Sequence, residues 1–415
     1  RYRPSAGRGP EPAAHVNREK VVAAKAAKFR AGKSANLRKI LSLQDFEGAA
    51  QRRLPKSVFG FVAGGAEDGR SLRANREAFD RIALRPRVLV DVSKRSQAIT
   101  LFGARYASPF GIPPMGASAL CRFEADLALA RAAAAEDVPF ILSAPSTVPL
   151  ERVIREAPLA WYQAYLPEGR ERIGRLLDRV RAAGYAVLVV TVDVPVGANR
   201  ENNLRNGFSM PVQPNLRLAL DGLLHPRWLA GTVATTLLRS GIPRFENYAA
   251  ERGGWIISPR PAWQHAGRDA LSWPDLAWIR SQWKGKLVLK GILGAGDARR
   301  ACGEGMDGII VSNHGGRQLD GAVAPLRALP AVLEAAGETV VMMDGGIRRG
   351  TDVLKALALG AKCVFAGRPM LFGAAVAGEA GVRHAIGILR EEIGRDLALL
   401  GCADIASVTR DLLVE

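Results

Sequence analysis

One arrangement recurs eight times between residues 100 and 370 of this chain: a short apolar run, a loop of glycine or polar residues, and an amphipathic segment. The apolar runs are rich in β-branched residues and have the length of strands, whereas the amphipathic segments have helical periodicity. Parallel strands joined by helical crossovers account for this alternation. The predicted strands span residues 109–112, 140–143, 160–165, 187–193, 286–290, 308–312, 340–344 and 362–366.

Eight strand–helix units predict an α/β fold of the (β/α)8 TIM barrel type, with an N-terminal helical segment and a long insertion after the fourth strand. A doubly wound open sheet is the alternative. The strand count favours the barrel, and so do the polar residues that follow nearly every predicted strand, because barrel enzymes build their sites at the C-terminal ends of the strands. One crossover helix, 351–359, is expected to begin with Thr351 as its N-cap.

The chain divides into two predicted parts: a basic extension, 1–43, and the barrel domain, 44–415, with its insertion at about 197–280. The extension is expected to be disordered, and it holds eleven Lys or Arg against two acidic residues, half of the net charge of +18. A targeting peptide or an anchor for an anionic surface is the alternative. Because the charge is concentrated there and no nucleic-acid-binding module is recognisable, no nucleic-acid partner is expected.

Composition excludes several other classes. No apolar stretch reaches the ~18 residues of a membrane-spanning helix. Four cysteines, at positions 121, 302, 363 and 402, are scattered without the paired spacing of a metal site. We therefore expect no bound metal and no disulfide framework, and a reducing compartment, which agrees with a cytoplasmic location.

The sixth predicted strand is followed by Ser-Asn-His-Gly-Gly-Arg at 312–317. His314 supplies a base with a pKa near neutrality, and Arg317 offers a planar fork for a carboxylate. Asp193, at the end of the fourth strand, can fix the tautomer of the imidazole, as in other catalytic pairs. These residues suit the removal of two electrons from a small carboxylic acid; an incidental surface loop is the alternative.

The seventh and eighth units predict a phosphate site. Asp-Gly-Gly-Ile-Arg at 344–348 and Gly-Arg-Pro at 367–369 combine glycine turns with arginines, at the two loops where barrels favour phosphate. Lys290 ends the fifth strand, where a lone buried cation would be costly without an acceptor. An electron-rich ring edge of the phosphorylated ligand, or a structural ion pair, would satisfy it.

The insertion contains apolar blocks between residues 216 and 240, together with Arg217, Arg227, Arg239 and Trp228. Basic residues beside Trp and Leu suit a helix that lies in a membrane interface. An ordinary helix packed on the barrel, or a contact between subunits, is the alternative.

Several short motifs occur in a set order along the chain. The longest is Ser-Asn-His-Gly-Gly-Arg-Gln-Leu-Asp at 312–320; the others are Leu-Pro-Lys at 54–56, Gly-Gly-Ala-Glu-Asp at 64–68, Gln-Ala-Tyr at 163–165, Thr-Val-Asp at 191–193 and Lys-Gly at 290–291. From about residue 54 onward the chain resembles the FMN-dependent α-hydroxy acid oxidising family, which includes glycolate oxidase, lactate oxidase, flavin L-lactate dehydrogenase and mandelate dehydrogenase.

The resemblance implies FMN as cofactor and oxidation of a lactate- or mandelate-like L-2-hydroxy acid to the 2-oxo acid. His314 matches the active-site base and Asp193 its partner. Arg317 and Arg200 match the residues that hold the substrate carboxylate, and Tyr165 matches the hydroxyl that contacts substrate. The positions that match FMN contacts are Gly116, Ser143, Gln163, Thr191, Lys290, Ser312, Asp344, Gly346, Arg348, Gly367 and Arg368.

The chain departs from the family pattern at two positions. Phe61 stands where the family usually has a substrate-binding tyrosine, so one hydrogen bond to the carboxylate is missing, a loss of ~1.5 to 3 kcal/mol. Pro145 stands where short-chain glycolate oxidases have tryptophan, which implies a roomier pocket. A flavin-binding protein without hydroxy-acid turnover is therefore an alternative.

The electron acceptor is predicted from a third position. Gly116 stands where the oxidases mostly have alanine and matches the mandelate and lactate dehydrogenase branch. The resemblance therefore favours a dehydrogenase that reduces a quinone, attached peripherally to the cytoplasmic face of the inner membrane through 216–240. An oxidase that reduces O₂ to peroxide is the alternative. Homotetramers occur in the family, so a homotetramer is one assembly that the resemblance allows.

Overall fold

The computed structural model describes residues 37–257 and 267–414. The predicted disordered extension, 1–43, lies outside the described residues up to position 36, and a 3₁₀ turn spans Leu37–Lys39. Its disorder stays a prediction. Three helices precede the barrel, at Leu43–Arg53, Lys56–Ala63 and Arg70–Asp80, which confirms the expected N-terminal helical segment.

Eight parallel strands form the centre of the fold and confirm the predicted barrel. They are β1 Phe110–Gly111, β2 Ile141–Ser143, β3 Trp161–Ala164, β4 Val187–Thr191, β5 Lys286–Ile292, β6 Gly308–Val311, β7 Val340–Asp344 and β8 Val364–Phe365. They pair in the order β1–β8–β7–β6–β5–β4–β3–β2. A parallel bridge between Ile112 and Phe140 joins β1 to β2 and closes the cylinder, so the open doubly wound sheet is excluded.

Helices follow the strands and cover the outside of the barrel. They are Ala125–Ala135, Leu150–Glu156, Arg170–Ala182, Trp273–Gln282, Ala295–Gly303, Pro325–Ala336, Gly350–Ala358, Arg368–Ala377 and Glu379–Leu399. The expected N-cap at Thr351 is wrong. The helix begins one residue earlier, with Arg349 as its N-cap, because the Asp352 carboxylate accepts the Arg349 backbone N–H at 3.0 Å.

The barrel interior is filled by apolar side chains from successive strands, among them Trp161, Val189 and Ile310. A β-hairpin, Ile99–Leu101 paired with Ala104–Tyr106, packs on residues at the strand starts, including Val187 and Val340. The N-terminal end of the barrel is therefore filled. This arrangement leaves the C-terminal ends of the strands for the site.

The connection between β4 and β5 contains the inserted helices. They are Glu201–Arg205, Leu216–Leu223, Pro226–Trp228 and Thr235–Ser240, with a π-helical segment at Leu229–Ala234. Two contacts tie this region to the remainder of the domain. The Asp221 carboxylate accepts the Lys56 and Ser57 backbone N–H groups at 3.0 and 2.9 Å, and the Trp228 indole N–H donates to the Leu120 carbonyl at 2.7 Å. Within the described ranges, every helix is too short or too polar to span a bilayer.

Candidate active site

A cavity of about 480 Å³ opens at the C-terminal ends of the barrel strands. Eleven of the sixteen predicted site residues line it: Gly116, Tyr165, Arg200, Lys290, His314, Arg317, Asp344, Gly346, Arg348, Gly367 and Arg368. The other five, Ser143, Gln163, Thr191, Asp193 and Ser312, are not among the lining residues; they lie at the ends of β2, β3, β4 and β6 and contact residues of the site or of neighbouring strands. The sixteen predicted residues thus come from the ends of all eight strands, and most of them surround one cavity.

His314 and Asp193 form a hydrogen-bonded pair beside this cavity. His314 Nδ1 lies 3.0 Å from Asp193 Oδ1, and its Nε2 lies 3.4 Å from the Tyr165 hydroxyl. The backbone of His314 has a φ of +58° and is fixed by its N–H, which donates to Ser312 Oγ at 3.0 Å. This turn directs the imidazole back across the strand ends toward Asp193.

Burial and neighbouring charges together determine the protonation of the pair. Burial lowers the pKa of His314, although the charge of Asp193 opposes the shift. Burial would raise the pKa of Asp193, but the charges of His314 and Lys290 outweigh it, so that pKa is lowered. At neutral pH the imidazole is therefore neutral and the carboxylate ionised. A Nδ1–H that donates to Asp193 leaves Nε2 unprotonated, which is the state a base requires.

Lys290 lies in the wall of the cavity, next to this pair. Its side chain is 3% exposed, and Nζ lies 3.1 Å from Asp344 Oδ2 and donates to Ser312 Oγ at 2.8 Å. Burial would lower the pKa of Lys290, but the charges of Asp344 and Asp193 outweigh it and raise the pKa. The predicted ion pair is present. It also keeps an ammonium group charged at the edge of the cavity.

Three buried polar atoms of residues within the barrel strands have no hydrogen-bond partner in the described part of the chain: Gln163 Nε2, Thr191 Oγ1 and Asp344 Oδ1. The Gln163 amide is held in place from its other side, because Ser143 Oγ donates to its Oε1 at 2.9 Å. Unpaired buried polar groups are rare and costly. A planar ring with nitrogen and oxygen atoms at its edge would satisfy donors and acceptors of this kind, so these residues fit a flavin.

The loops after β7 and β8 contain arginine side chains and a glycine turn whose backbone is tightly packed. Arg368 donates hydrogen bonds to the carbonyls of Val62, Gly315 and Gly64 at 3.0, 3.0 and 2.9 Å. Burial and the charge of Arg348 lower the pKa of Arg368 to about 9. Gly346 has a φ of +83°, and a Cβ there would lie 2.3 Å from the Asn75 carbonyl oxygen. Two half-buried guanidinium groups beside a glycine turn favour a phosphate.

Arg317 and Arg200 form a second cationic group beside the first, since Arg317 and Arg368 both donate to the Gly64 carbonyl. Arg317 Nη1 donates to the carbonyls of Phe61 at 2.6 Å and Gly64 at 3.1 Å, and its Cζ lies 5.1 Å from the Phe61 ring centroid. Arg200 Nε donates to the Arg317 carbonyl at 3.1 Å. Burial, with the neighbouring cations, lowers the pKa of Arg317 well below its usual value. An anionic ligand would relieve this repulsion.

Gly116 lies against Pro145 at the cavity wall. A Cβ at position 116 would lie 2.5 Å from Pro145 Cγ, which is too close for any real contact. Glycine is therefore required here as long as proline occupies position 145. Gly116 and Pro145, which the sequence presents as separate features, form one packing unit.

Among the lining residues that were not predicted from the sequence, Tyr248 and Arg268 bear most directly on the chemistry of the site. The Tyr248 ring stacks on Tyr165 with centroids 6.4 Å apart, and Arg268 Cζ lies 4.3 Å from the Tyr165 centroid. Both belong to the insertion, away from every strand end. No local pattern marks them, because only the folded insertion brings them to the cavity.

The closed barrel carries three features at one end: arginines and a glycine turn that fit a phosphate, unpaired polar groups that fit a flavin ring, and a histidine–aspartate pair. Together they define a flavin-dependent oxidoreductase. The sequence profile of the FMN-dependent dehydrogenase family matches residues 50–415. The chain belongs to that family, and FMN is its cofactor.

Curated relatives cover nearly the whole chain. (S)-Mandelate dehydrogenase of Pseudomonas putida is 38% identical over 90% of this chain and 94% of its own length. L-Lactate dehydrogenase of Ectopseudomonas mendocina is 40% identical over 89% of this chain and 98% of its own length. An L-lactate oxidase of Nostoc sp. is also 40% identical, over 90% and 98%. Relatives named as dehydrogenases and a relative named as an oxidase are thus about equally similar to this chain.

Solved structures agree with the fold. The crystal structure of the monotopic membrane protein (S)-mandelate dehydrogenase superposes with a TM-score of 0.81 at 38% identity, covering 90% of this chain and 99% of that one. The crystal structure of mandelate oxidase with (S)-2-phenylpropionate has a TM-score of 0.74 at 36% identity, covering 90% and 98%.

Proposed function

We propose that this protein oxidises an L-2-hydroxy acid, lactate- or mandelate-like in its reacting end, to the 2-oxo acid and passes the electrons to a quinone-type acceptor. One observation carries the proposal: His314, which is bonded to Asp193, lines the same cavity as Arg317 and Arg200, beside the groups that fit a flavin. The names of the relatives, which include mandelate and lactate dehydrogenases, support this substrate class.

His314 serves as the base. Its Nε2 atom accepts the proton that leaves the substrate, and the Asp193 carboxylate stabilises the imidazolium that results. Tyr165, whose hydroxyl lies 3.4 Å from Nε2, contacts the substrate oxygen and orients it toward the base. Burial raises the pKa of Tyr165, so the phenol keeps its proton and acts as a hydrogen-bond donor.

The two arginines orient the substrate. Arg317 and Arg200 hold its carboxylate, and the backbone carbonyls that Arg317 contacts keep the guanidinium fixed before the substrate arrives. FMN, when bound, accepts the two electrons. Its phosphate would lie with Arg348 and Arg368, and its ring edge with the polar ends of the strands, where the charged Lys290 favours added negative charge.

The substrate class is tested by anaerobic titration of the FMN-loaded protein with a panel of hydroxy acids. We expect L-lactate or (S)-mandelate to bleach the flavin absorbance, and their D or R enantiomers to leave it unchanged. Bleaching by no acid of the panel would instead favour a flavin-binding protein without turnover.

The role of His314 is tested with His314→Gln, which keeps a polar side chain of similar reach. We expect normal FMN binding and a fall of about 10²- to 10⁴-fold in the rate of flavin reduction, the usual contribution of a general base. Phe59→Tyr is a control outside the cavity, since Phe59 stacks on Phe372 at 5.7 Å. A near-normal rate in His314→Gln would remove the histidine from the mechanism.

The proposal of a quinone acceptor rests on Gly116, which matches the dehydrogenase branch of the family; Pro145, whose Cγ would lie 2.5 Å from a Cβ at this position, is a packing reason for the same glycine. Reoxidation of the reduced protein by a soluble quinone analogue is compared with reoxidation by O₂. We expect the quinone to react faster and little peroxide to form. Stoichiometric peroxide with a fast O₂ reaction would identify an oxidase, as the lactate oxidase relative is named.

We further propose that the leucine surface of the insertion binds a membrane peripherally. This surface consists of the exposed side chains of Leu216, Leu220, Leu223, Leu224, Leu237 and Leu238, of which Leu238 is 87% exposed. Exposed Arg217 and Arg227 lie on the same segment and suit anionic headgroups. Trp228 is not part of this surface, because its indole N–H is bonded to Leu120. The monotopic mandelate dehydrogenase supports the proposal.

Because Asp221 and Trp228 anchor this segment, substitutions test it better than removal of 216–240. The triple variant Leu220→Ser, Leu223→Ser and Leu224→Ser should no longer sediment with anionic vesicles while keeping its flavin. Leu399→Ser, at an equally exposed leucine on the C-terminal helix, should bind vesicles as the wild type does. Unchanged sedimentation of the triple variant would reject the membrane surface.

A further inference from the structure

The cavity holds one more cation than FMN and a substrate carboxylate require. Among the described residues that line it, six are Lys or Arg and one, Asp344, is acidic. The cations are Arg200, Arg268, Lys290, Arg317, Arg348 and Arg368. Lys290 pairs with Asp344, two arginines lie at the phosphate loops, and two lie at the proposed carboxylate site. Arg268, which also interacts with Tyr248, is assigned to neither ligand in this scheme.

Arg268 lies close to the reacting end of the cavity. Its Cζ is 4.3 Å from the Tyr165 ring centroid and 5.6 Å from that of Tyr248. The hydroxyl of the same Tyr165 is 3.4 Å from His314 Nε2. The Arg268 guanidinium is therefore about one aromatic ring away from the base, within the length of a small substrate.

The charge of Arg268 acts on the same phenol as the two carboxylate-binding arginines. Burial and the charge of Asp193 raise the pKa of Tyr165, and Arg268 opposes this rise more strongly than Arg200 or Arg317. Arg268 is thus electrostatically part of the substrate site.

The support beneath Arg268 is rigid. Tyr248 follows Asn247, which is fully buried and clamps the insertion to the barrel loop after β2. Asn247 Nδ2 donates to the Val148 carbonyl and its Oδ1 accepts the Leu150 N–H, both at 2.9 Å. The Tyr165–Tyr248 stack on which the guanidinium lies is therefore preorganised, as a binding site requires.

We propose that Arg268 binds a second anionic group of the substrate, so that the preferred substrate is an L-2-hydroxy acid with a distal carboxylate. The inference rests on the proposed function and narrows its substrate class. A guanidinium matches a carboxylate with a bidentate fork, and the apolar side chains of Phe61, Leu204 and Phe208, which also line the cavity, suit the carbon chain of such a substrate.

The test compares two substrates of the same shape that differ by one charge: L-2-hydroxyglutarate and its 5-amide. The ratio of their efficiencies in anaerobic flavin reduction isolates the distal charge. We expect the wild type to favour the diacid by about tenfold or more, the factor for one hydrogen bond between charged groups. In Arg268→Gln the ratio should fall to about one, and Arg268→Lys, which keeps the charge, should retain part of it.

Arg244→Gln is the matched control. Arg244 Cζ stacks 4.9 Å over the Trp255 ring, also in the insertion, but Arg244 does not line the cavity. This variant should keep the wild-type ratio. Because a distal group binds substrate and transition state alike, the ratio should arise from Kd rather than from the limiting rate of reduction.

Two results would overturn the inference: a wild-type ratio of about one, or an Arg268→Gln ratio equal to that of the wild type. If Arg268 only supports Tyr165, Arg268→Gln slows flavin reduction by both substrates by the same factor, and the ratio stays equal to that of the wild type. If lactate or mandelate reduces the flavin while the ratio is one, this inference alone is wrong. If no hydroxy acid reduces it, the proposed function is also wrong.

Discussion

His314, Gly315 and Gly316 have φ values of +58°, +66° and +73°, so three consecutive residues occupy the left-handed region. A histidine there is strained by roughly 1–2 kcal/mol, and glycines relieve the two positions that follow. At Gly316 a Cβ would lie 2.5 Å from the Leu72 nitrogen, so this glycine also permits close packing on the helix Arg70–Asp80. The double glycine therefore turns the chain sharply enough to direct His314 toward Asp193.

The pH dependence of flavin reduction follows from the burial of His314. Burial lowers the pKa of the imidazole below its usual 6.5, and only the neutral form is a base. The rate of reduction should therefore be constant at neutral pH and fall with acid only below pH 6.5, about tenfold per pH unit. Stopped-flow reduction at saturating substrate measures this.

Asp193→Asn extends the pH experiment. Loss of the carboxylate removes the charge that raises the pKa of His314, so the acidic limb should move to still lower pH while the maximal rate falls. An acidic limb centred above pH 6.5 in the wild type would contradict the assignment of a buried base.

Phe61 is a second residue with a specific consequence. Its ring packs against Phe208 with centroids 4.9 Å apart and lies beside the Arg317 guanidinium. Phe61→Tyr should restore a hydroxyl at the proposed carboxylate site and tighten hydroxy-acid binding about tenfold, the lower range for a hydrogen bond to a charged group. The Kd for the substrate, measured by stopped-flow reduction, checks this; weaker binding would mean that the hydroxyl points elsewhere.

Among the secondary-structure elements, the eight strands could be predicted from the sequence, whereas the packing of the insertion between β4 and β5 could not. A strand buried on both faces is apolar at nearly every position, so residues 187–193 and 308–312 were recognised to within about two residues at their ends. The strand ends then located His314 and Lys290. Tyr248 and Arg268 could not be found in this way, because their positions depend on how the insertion packs against the loop after β2.

The motif at 312–320 also has a structural role that chemistry alone did not suggest. Asn313 and Asn75 exchange two amide hydrogen bonds, of 2.7 and 2.9 Å, and both side chains are buried. Asp320 accepts the Arg70 and Ser71 backbone N–H groups at 3.1 and 2.8 Å. The motif thus anchors the helix Arg70–Asp80 as well as carrying the proposed base.

Asn313→Ala should be destabilising for this reason. It leaves the buried Asn75 amide unpaired, a cost of about 1–3 kcal/mol in the free energy of unfolding. Urea denaturation of the FMN-loaded protein measures the loss, and the double variant Asn75→Ala, Asn313→Ala should lose less than the sum of the two single variants. Additive losses would show that the two amides do not depend on each other.

At the scale of the whole molecule, the cavity gathers buried positive charge that the protein alone does not neutralise. Burial and neighbouring cations lower the pKa of Arg317 and Arg368, which reflects a cost of holding these groups charged. A bound phosphate and a bound carboxylate each remove part of this cost. Ligands should therefore stabilise the fold measurably.

FMN at a hundred times its Kd should raise the free energy of unfolding by about 2.7 kcal/mol, and the unfolding midpoint with it. Riboflavin, which lacks the phosphate, should stabilise less at the same concentration, because Arg348 and Arg368 keep no counter-ion. Thermal unfolding of the apoprotein with each ligand gives both values. Equal midpoints with FMN and riboflavin would place the phosphate away from these arginines.

The proposed binding of the substrate carboxylate by Arg317 and Arg200 has a kinetic consequence. Oxidation changes the carbinol carbon from tetrahedral to planar, but it leaves the carboxylate beside it untouched. Arginines that contact only this carboxylate bind the 2-oxo acid product through the same group as the hydroxy acid substrate. As conversion proceeds, the accumulating 2-oxo acid competes with its own precursor, and turnover slows through product inhibition.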